Sequence, residues 1–445
     1  MSDVTTTATP EVLDVGALPS LADYGYDGGR GAYRRFCANV FQSDGPRFLR
    51  SERGALVMFR HADLRAMATV PQLTTLAPAQ MFGGMLAGPP PEEPPVGFAM
   101  ADLIKNQLFS TNPPLNPVLR RILLNQIGPK PTAALADSTR SLATGILEAL
   151  PTGTPIDLVR DVAEPLIGRY WGGLIGMTDE EALRAAAEAR KMTPMLFLRQ
   201  TPESVAEADA AAKVYRATVE QASDRNGARP VMAKIAEELA AVDIPDDLDH
   251  VGYVPRTAGA FLAGNLFDGF HTAALAATNT IYALLRHPEV LAELRSSPDK
   301  VAAAVSECLR LEPPVIHLNR FAHDDIHYDG HLIPKGTHVM IMWGVAGRDP
   351  AAFPDPDTFD LSRSQQGSTS FGGGAHICPG RFAATLMAKS LVEAVLQSGL
   401  TIRRVDGPDD WIDNNAMCQL RRLPVVLERA TSGKHLCTGD SKGGI

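Results

Sequence analysis

The chain has 445 residues, of which 45% are hydrophobic and 21% are charged, so it can bury a large core. Its formal net charge of −9 argues against nucleic acid or an anionic membrane as a partner, because both require a basic surface. The five cysteines are odd in number and include no Cys-x-x-Cys pair, so neither a disulfide framework nor a zinc site is favoured.

The N-terminal segment, residues 1–30, is rich in threonine, glycine and proline and is expected to form a surface extension. Its first residues lack a cationic start followed by an apolar stretch, so no signal peptide or membrane anchor is predicted and a cytoplasmic protein is expected. Further along, residues 56–59 are predicted to form a strand and residues 61–68 a short helix.

An irregular stretch with two proline runs lies between Thr74 and Ser110. Long loops inside a compact domain are usually functional. The apolar side chains of this loop could close over an apolar substrate or could simply pack on the core, and both readings stay open. The residues concerned are Met81, Phe82, Met85 and Phe98.

Helical periodicity dominates from Leu115 to Leu311. Within it, residues 257–285 are almost free of charge and long enough to span a bilayer. Asp268 and His271 interrupt this stretch, and ionisable groups inside a membrane are costly, so a buried central helix is predicted instead.

Short strands are predicted between Asn319 and Met342, with a hairpin turn at Asp329-Gly330. Residues 431–445, at the end of the chain, are polar and contain glycine, and they are expected to form a disordered tail.

The most informative segment is residues 371–380, Phe-Gly-Gly-Gly-Ala-His-Ile-Cys-Pro-Gly. Pro379 suits the first position of a helix, and the apolar residues beyond it recur at helical spacing, so Cys378 is predicted to lie at a helix N-terminus. Free N–H groups and the helix dipole favour a thiolate there, and the glycines leave room for a flat macrocycle. We therefore assign Cys378 as the ligand of a haem iron. The alternative is a structural cysteine or a phosphate loop, but the Lys-Ser/Thr ending of a phosphate loop is missing.

This segment resembles the haem loop of the cytochromes P450, Phe-Gly-x-Gly-x-His-x-Cys-x-Gly. The resemblance covers roughly residues 30–428 and implies the cytochrome P450 fold, mainly α with a small β lobe, as one haem domain at residues 31–430. It also implies haem b (iron protoporphyrin IX) as the cofactor. The fixed positions of the motif are matched by Phe371, Gly372, Gly374, His376, Cys378 and Gly380.

The same resemblance assigns a structural triad of charged residues to Glu307, Arg310 and Arg363. Glu307 and Arg310 stand three residues apart, so they share one face of a helix and can pair. Arg363 follows at the spacing of the family. The triad would fix the loop under the haem and take no part in catalysis.

Two carboxylates of the haem require cationic or hydrogen-bonding partners where they are buried. The family supplies these partners at positions that correspond to Arg120, Arg320 and His376. Asn116 stands where the family carries a further histidine, and its amide could still donate to a propionate.

The central helix of the family carries a Gly-x-acid-Thr element, in which an alcohol and a nearby acid deliver protons for O–O cleavage. Counting back from the helix end at His287-Pro288 aligns this element with residues 269–272. The resemblance then makes Thr272 the oxygen-side hydroxyl, with His271 in place of the usual acid. Histidine can shuttle protons near neutral pH, although His271 could equally be a satisfied core group.

Substrate is expected in an apolar pocket beside the haem, which predicts a small or medium hydrophobic or aromatic compound. The implied reaction inserts one oxygen atom from O₂, as hydroxylation or oxidative dealkylation. His317 could meet a polar substrate group or belong to the core. Besides the loop residues above, the pocket is predicted to include Gly269, Val315, Ile316 and His317.

No flavin or nicotinamide fingerprint is present in the sequence, so electrons are expected from a ferredoxin with its NAD(P)H-dependent reductase. The ferredoxin is expected to dock near Cys378, beside Arg381 and Lys389, on a monomer. One alternative is a haem-thiolate enzyme of atypical chemistry, such as a peroxygenase or a catalyst of isomerisation or oxidative coupling. A second is a haem gas sensor or carrier without enzymatic activity.

Overall fold

A computed structural model of the protein describes residues 10–26, 29–42, 45–76, 83–86, 92–193, 201–243, 257–412 and 416–429. Helices make up most of these residues, and the strands form small sheets, so the expected mainly α architecture with a small β lobe is confirmed. The helices are α1 (Gly29–Val40), α2 (His61–Met67), α3 (Phe98–Ile104), α4 (Leu115–Ile127), α5 (Pro129–Ala133), α6 (Ala136–Glu148), α7 (Glu164–Ile175), α8 (Asp179–Met192), α9 (Pro202–Arg225), α10 (Pro230–Ala240), α11 (Ala258–Arg286), α12 (Pro288–Ser296), α13 (Val301–Leu311), α14 (Trp343–Ala346) and α15 (Arg381–Gln397).

The largest sheet has the strand order β2-β3-β9-β6-β4, in which β3 and β9 are parallel and the other pairs are antiparallel. Its apolar side chains form the core of the small lobe with those of α1 and α2. The strands are β1 (Glu11–Val12), β2 (Leu49–Arg50), β3 (Leu56–Met58), β4 (Leu73–Thr74), β5 (Pro155–Asp157), β6 (Leu318–Ala322), β7 (Ile326–Tyr328), β8 (His331–Ile333), β9 (His338–Ile341), β10 (Leu400–Arg404), β11 (Asp410–Trp411), β12 (Leu420–Arg422) and β13 (Pro424–Arg429).

The hairpin between β7 and β8 turns at the predicted residues. Asp329 has φ 47° and Gly330 has φ 80°, and positive φ at both central positions is what a type I′ turn requires. The first residues of the described chain join the same sheet, because β1 pairs in parallel with β8. Leu21 and Tyr26 are buried in the small-lobe core, so part of the expected N-terminal extension is packed against the fold.

Helix α11 is the centre of the larger lobe. The Thr257 hydroxyl accepts a hydrogen bond from Ala260 N at its start, and the helix ends before the His287-Pro288 pair, as the sequence predicts. It packs against α7, α9, α13 and α15, which explains why it is apolar on nearly every face. Among the described residues, no helix combines the length and the apolarity that crossing a membrane requires.

Two local features differ from the sequence expectation. The irregular stretch before Ser110 contains helix α3, whose N-terminal amides at Ala99 and Met100 donate to the Asp209 carboxylate, at 2.7 Å and 3.3 Å. This cap comes from a distant helix, α9, so no local pattern could indicate it. Helix α15 begins at Arg381 with Gly380 as its N-cap, so Pro379 precedes the helix.

Candidate active site

The loop that presents Cys378 is closed by its own backbone. Cys378 N donates to Phe371 O at 2.9 Å, while Gly372 (φ 72°) and Gly374 (φ 63°) adopt the left-handed conformation. A Cβ atom at Gly374 would lie 1.7 Å from the carbonyl oxygen of Ala68, which follows α2. Only glycine allows this approach, so the loop is held tightly against the small lobe.

Cys378 is half-buried and lies just ahead of α15. Burial has the largest effect on the thiol and raises its pKa, and the charge of Asp268 adds to that rise. The N–H of Gly380, which donates to the sulfur, and the nearby Arg120 and Arg381 lower the pKa. These donors and cations favour the thiolate, which is the form of cysteine that binds a metal.

Glu307 joins the two segments that support this loop. Its fully buried carboxylate accepts from Arg310 Nε and Nη2 at 2.8 Å and 2.6 Å, and from Arg363 Nε at 3.1 Å. The Arg310 Nη1 group donates to the carbonyl oxygens of Gly347 and Pro356, at 3.0 Å and 2.6 Å. The three residues of the expected triad are therefore in contact, and they tie α13 to the segment that leads to the cysteine loop.

A cluster of cationic residues lies beside the cysteine loop. Arg320 is 5% exposed, and burial lowers its pKa to about 10. Arg120 donates to the carbonyl oxygen of Ile377, and burial lowers its pKa as well. The pKa of His376 falls to about 4, first through burial and then through the charges of Arg320 and Arg120. The structure thus brings together the three residues that the resemblance assigned to the propionates.

This cluster has no anionic partner of its own. In the described part of the chain, neither Arg120 nor Arg320 makes a salt bridge, and the Arg320 guanidinium donates to Asn319 O, at 2.7 Å. Buried charges without partners are costly, so the cluster fits an anionic ligand. A planar iron macrocycle with two carboxylates satisfies both the cluster and the buried sulfur, and the residues present therefore fit a haem.

Asn116 differs from its sequence expectation. Its amide nitrogen donates to the carbonyl oxygens of Leu108 and Thr111, at 3.1 Å and 3.0 Å, and the residue is buried. Both N–H groups are thereby used, so the side chain fixes the segment ahead of α4 and has no donor left for a propionate.

The central helix opens toward the sulfur along one face. Asn265, Asp268, Gly269 and Thr272 are partly exposed within an otherwise buried stretch, and their spacing of three and four residues places them on one side of α11. The charge of Asp268 acts on Cys378, so this face looks toward the sulfur. Thr272 Oγ1 donates to the Asp268 carbonyl oxygen at 2.6 Å. We call these four residues the cavity face.

His271 lies off the cavity face. Successive helical residues are rotated by about 100°, so the His271 side chain leaves α11 in a different direction from Thr272. It is 7% exposed, and burial lowers its pKa to about 4. Gln419 and Arg190 are the side chains that affect this pKa besides burial, and Arg190 pairs with Glu164 at 3.2 Å. The structure therefore does not bring His271 into the position of the expected acid.

Asp268 is the functional candidate that sequence reasoning missed. Burial raises the pKa of its carboxyl group to about 6, while the side chain of Gln107 lowers it. Neither residue matches a family motif at its position. The signal that could have found Asp268 is its spacing, because a residue four positions before Thr272 shares its face of a helix.

The predicted pocket residues are only partly brought together. Met81 and Phe82 lie outside the described residues, Met85 is half-buried, and Phe98 is half-buried at the start of α3. Gly269 lies against the Trp171 ring, where an added Cβ would approach within 3.3 Å, so this glycine permits close helix packing.

The segment after α13 divides between the two lobes. Val315 is half-buried and forms an antiparallel bridge with Met417. Ile316 is fully buried in the small-lobe core, and the His317 ring meets Tyr26 edge-on with centroids 6.4 Å apart. Ile316 and His317 therefore have core surroundings, which differs from the expected pocket position.

The two basic residues near the cysteine loop have different environments. Arg381 Nη1 donates to the Cys378 carbonyl oxygen at 2.9 Å, and its guanidinium lies 4.1 Å from the centroid of the Phe382 ring. Lys389 is partly exposed on α15 and pairs with Glu393 at 3.4 Å. Arg381 thus supports the loop, whereas Lys389 is available at the surface.

Comparison with known proteins agrees with this geometry. A family profile described as cytochrome P450 matches residues 255–399. "Cytochrome P450 107B1" from Saccharopolyspora erythraea is 29% identical over 322 residues, which are 72% of this chain and 76% of that protein. The solved structure of CalO2 has a TM-score of 0.75 at 23% identity, with 90% of this chain and 96% of that chain covered. P450BioI, solved with an acyl carrier protein ligated to hexadec-9Z-enoic acid, has a TM-score of 0.70 at 23% identity, with 84% and 92% covered.

Proposed function

We propose that this chain, which belongs to the cytochrome P450 family and is a haem b monooxygenase, inserts one oxygen atom from O₂ into a hydrophobic substrate. The observation that carries the proposal is the placement of one half-buried cysteine, Cys378, near the cavity face of α11 and beside two arginines that make no salt bridge in the described part of the chain. The substrate class and the electron donor are parts of the proposal.

Cys378 would hold the iron, and Arg120, Arg320 and His376 would hold the two carboxylates of the haem. When bound, the haem supplies the activation of dioxygen, assisted by electron donation from the thiolate. The glycines of the cysteine loop keep the sulfur in place, because the close contact between Gly374 and Ala68 leaves the loop no room to shift.

Thr272 would position a proton on the oxygen side. Its hydroxyl donates to the Asp268 carbonyl oxygen, which directs the lone pairs of Thr272 Oγ1 toward the cavity. Thr272 Oγ1 can then accept a hydrogen bond from a proton donor in the cavity. Apolar residues of α11 such as Phe267 and Phe270 are buried, and they exclude water from the core that surrounds this helix.

Electrons are proposed to come singly from a ferredoxin that docks on the side of Cys378 and Lys389. The substrate is proposed to be a small or medium hydrophobic or aromatic molecule, because the half-buried residues among the predicted pocket positions that the structure describes include the apolar Val315, Phe98 and Met85. P450BioI, which has the same fold, was solved with an apolar acyl chain delivered by a carrier protein, and this supports an apolar substrate.

The direct test combines the haem-loaded protein with a ferredoxin, its reductase and NAD(P)H. A panel of hydrophobic compounds is first screened for the shift of haem absorption that accompanies loss of bound water. For each hit, we expect O₂ consumption and an oxygenated product that contains one atom of ¹⁸O from ¹⁸O₂. Turnover that needs hydrogen peroxide and gives no product with the ferredoxin system would favour the atypical chemistry, and ligand binding without any conversion would favour a sensor.

A further inference from the structure

Asp268 is an ionisable group on the cavity face that the family pattern does not account for. It precedes Thr272 by four residues, so the two side chains leave α11 within about 40° of each other. His271, by contrast, is rotated by about 100° from Thr272. The acid nearest to the oxygen-side hydroxyl along α11 is therefore Asp268.

The surroundings of the Asp268 carboxylate contain no cation that neutralises it. Within the described part of the chain Asp268 forms no salt bridge, and the side chains that affect it or respond to it are Gln107, Tyr215 of α9, and Cys378. The Gln107 amide nitrogen is buried and makes no well-aligned hydrogen bond to a described residue. The Gln107 side chain nevertheless lies close enough to Asp268 to lower the pKa of its carboxyl group. A half-buried carboxylate with a raised pKa and no salt bridge is a candidate for a functional group.

We propose that Asp268 is the residue that holds and returns a proton on the oxygen side of the cavity, in the role that the sequence had assigned to His271. The inference rests on the proposed function, since it concerns the same site. Two further observations support it: Asp268 and Thr272 are both partly exposed on one side of α11, whereas His271 is 7% exposed and its pKa is lowered to about 4 by burial.

The proton balance of the reaction is simple. Monooxygenation consumes one substrate molecule R–H, one O₂, two electrons and two protons, and it yields R–OH and water. Asp268 as the carboxylic acid gives a proton to the oxygen atom that leaves as water, and solvent then reprotonates the carboxylate. Because burial raises its pKa to about 6, both protonation states are populated near neutral pH, as a general acid requires.

The same carboxyl group should act on hydrogen peroxide, which needs no electron donor. Asp268 as the carboxylate would accept a proton from one oxygen of H₂O₂ and return it to the other oxygen, so that the O–O bond would break and one water would leave, while the haem, when bound, would supply the acceptor for the remaining oxygen atom. Two molecules of 2-methoxyphenol then supply two electrons and two protons, which gives a second water and two phenoxyl radicals. This reaction provides an assay that requires neither the natural substrate nor a ferredoxin.

The first experiment is a pH titration of the absorption spectrum of the ferric haem protein, without substrate, between about pH 4.5 and 8. We expect a one-proton step near the pKa of Asp268 in the wild-type protein, its loss in Asp268→Asn, and a shifted step in Asp268→Glu. Glu164→Gln is the matched control, because Glu164 is a half-buried carboxyl group with a pKa raised to about 7 that lies off the cavity face. A step that persists in Asp268→Asn, or that disappears in Glu164→Gln, overturns the assignment.

The second experiment measures 2-methoxyphenol oxidation by hydrogen peroxide. Loss of a general acid typically lowers a rate by 10²–10⁴-fold, so we expect a decrease of about 10²-fold in Asp268→Asn, partial recovery in Asp268→Glu, and a smaller change in His271→Gln. A larger loss in His271→Gln than in Asp268→Asn contradicts the proposal. So does an unchanged peroxide rate in Asp268→Asn, which would leave the carboxylate as an anchor for a cationic substrate.

These outcomes are separable from a failure of the proposed function. The carbon monoxide complex of the reduced protein reports the haem-thiolate bond independently in every variant. If that spectrum is absent in the wild-type protein, the proposed function fails. If it is present and equal in Asp268→Asn, while the pH step and the peroxide rate are also unchanged, the inference alone fails.

Discussion

The two sides of the candidate haem site are built under different constraints. On the cysteine side, nearly every residue is fixed by packing: Gly374 lies against Ala68, and Glu307 binds two arginines. On the α11 side, the cavity face follows only the helical spacing, and polar residues such as Asp268 lie free of salt bridges in the described chain. The first side matches the family pattern residue by residue, whereas the second departs from it.

This difference shows where sequence variation is tolerated. A side chain that holds the loop in place has several partners at once, so any change breaks contacts that the others need. A side chain that projects into the cavity has few protein partners. An acidic residue can therefore stand at a different position on the same face of the helix without disturbing the fold. We therefore expect substitutions on the cysteine side to act on stability and haem binding, and substitutions on the cavity face to act on chemistry.

The largest effect is expected for Glu307→Gln. Removing one member of a buried charge network costs about 3–5 kcal/mol, because the remaining arginines keep charges without a partner. We expect a much less stable protein with little bound haem, measured by urea unfolding and by haem content. Glu289→Gln is the control, since Glu289 is exposed and lies 3.2 Å from His287 Nδ1, and it should change the free energy of unfolding by less than about 0.5 kcal/mol.

Arg320→Leu should weaken the binding of haem. A hydrogen bond to a charged group contributes about 1.5–3 kcal/mol, so haem should transfer to an acceptor protein about 10–100 times faster from this variant. Arg403→Leu provides the comparison, because Arg403 is exposed on β10. Equal transfer rates for Arg320→Leu and the wild-type protein would show that Arg320 does not contact a carboxylate of the haem.

Gly374→Ala and Gly399→Ala form a matched pair. Both glycines have positive φ, of 63° and 66°. A Cβ atom at Gly374 would clash with the Ala68 carbonyl oxygen, whereas a Cβ atom at Gly399 would have no described neighbour within 4 Å. Backbone strain should cost both variants about 1 kcal/mol, and overpacking should cost Gly374→Ala a further 1–3 kcal/mol or so. Thermal unfolding that gives the same loss for both would indicate that the close approach of the loop is not rigid.

Thr272→Ala tests the cavity face and should leave stability almost unchanged. Loss of the hydroxyl should divert electrons from product into hydrogen peroxide, by about tenfold relative to wild type if the hydroxyl contributes one hydrogen bond to the reaction. Peroxide release per NAD(P)H is the measurement. Thr280→Ala serves as a comparison, because Thr280 is a buried residue of the same helix off the cavity face. An unchanged yield of peroxide per NAD(P)H in Thr272→Ala would refute the alignment of residues 269–272 with the Gly-x-acid-Thr element.

Much of the fold could be predicted because its signals are local. The hairpin at Asp329-Gly330 follows from turn residues, and the ends of α11 follow from its N-cap and the His287-Pro288 pair. Helix α3 was not predicted because the residue that caps its N-terminus, Asp209, is distant in the sequence.

The candidate site divides in the same way. The contacts of Glu307, and the cluster around Arg320, agree with the positions that the resemblance assigned to them. Asn116 and His271 were assigned by their positions in a motif. The Asn116 side chain donates to backbone carbonyl oxygens instead, and the His271 side chain is buried off the cavity face. Side-chain direction depends on neighbours that the motif does not contain, so position alone could not reveal Asp268.

The most direct measurement is the absorption spectrum of the reduced, carbon monoxide-bound protein, compared between the wild type and Cys378→Ala. We expect a thiolate-haem spectrum for the wild type that is lost in Cys378→Ala. Cys308→Ala is the control, because Cys308 is a fully buried thiol of α13 and should leave the spectrum intact. A protein that takes up no haem, or one that keeps the thiolate spectrum in Cys378→Ala, would contradict the account.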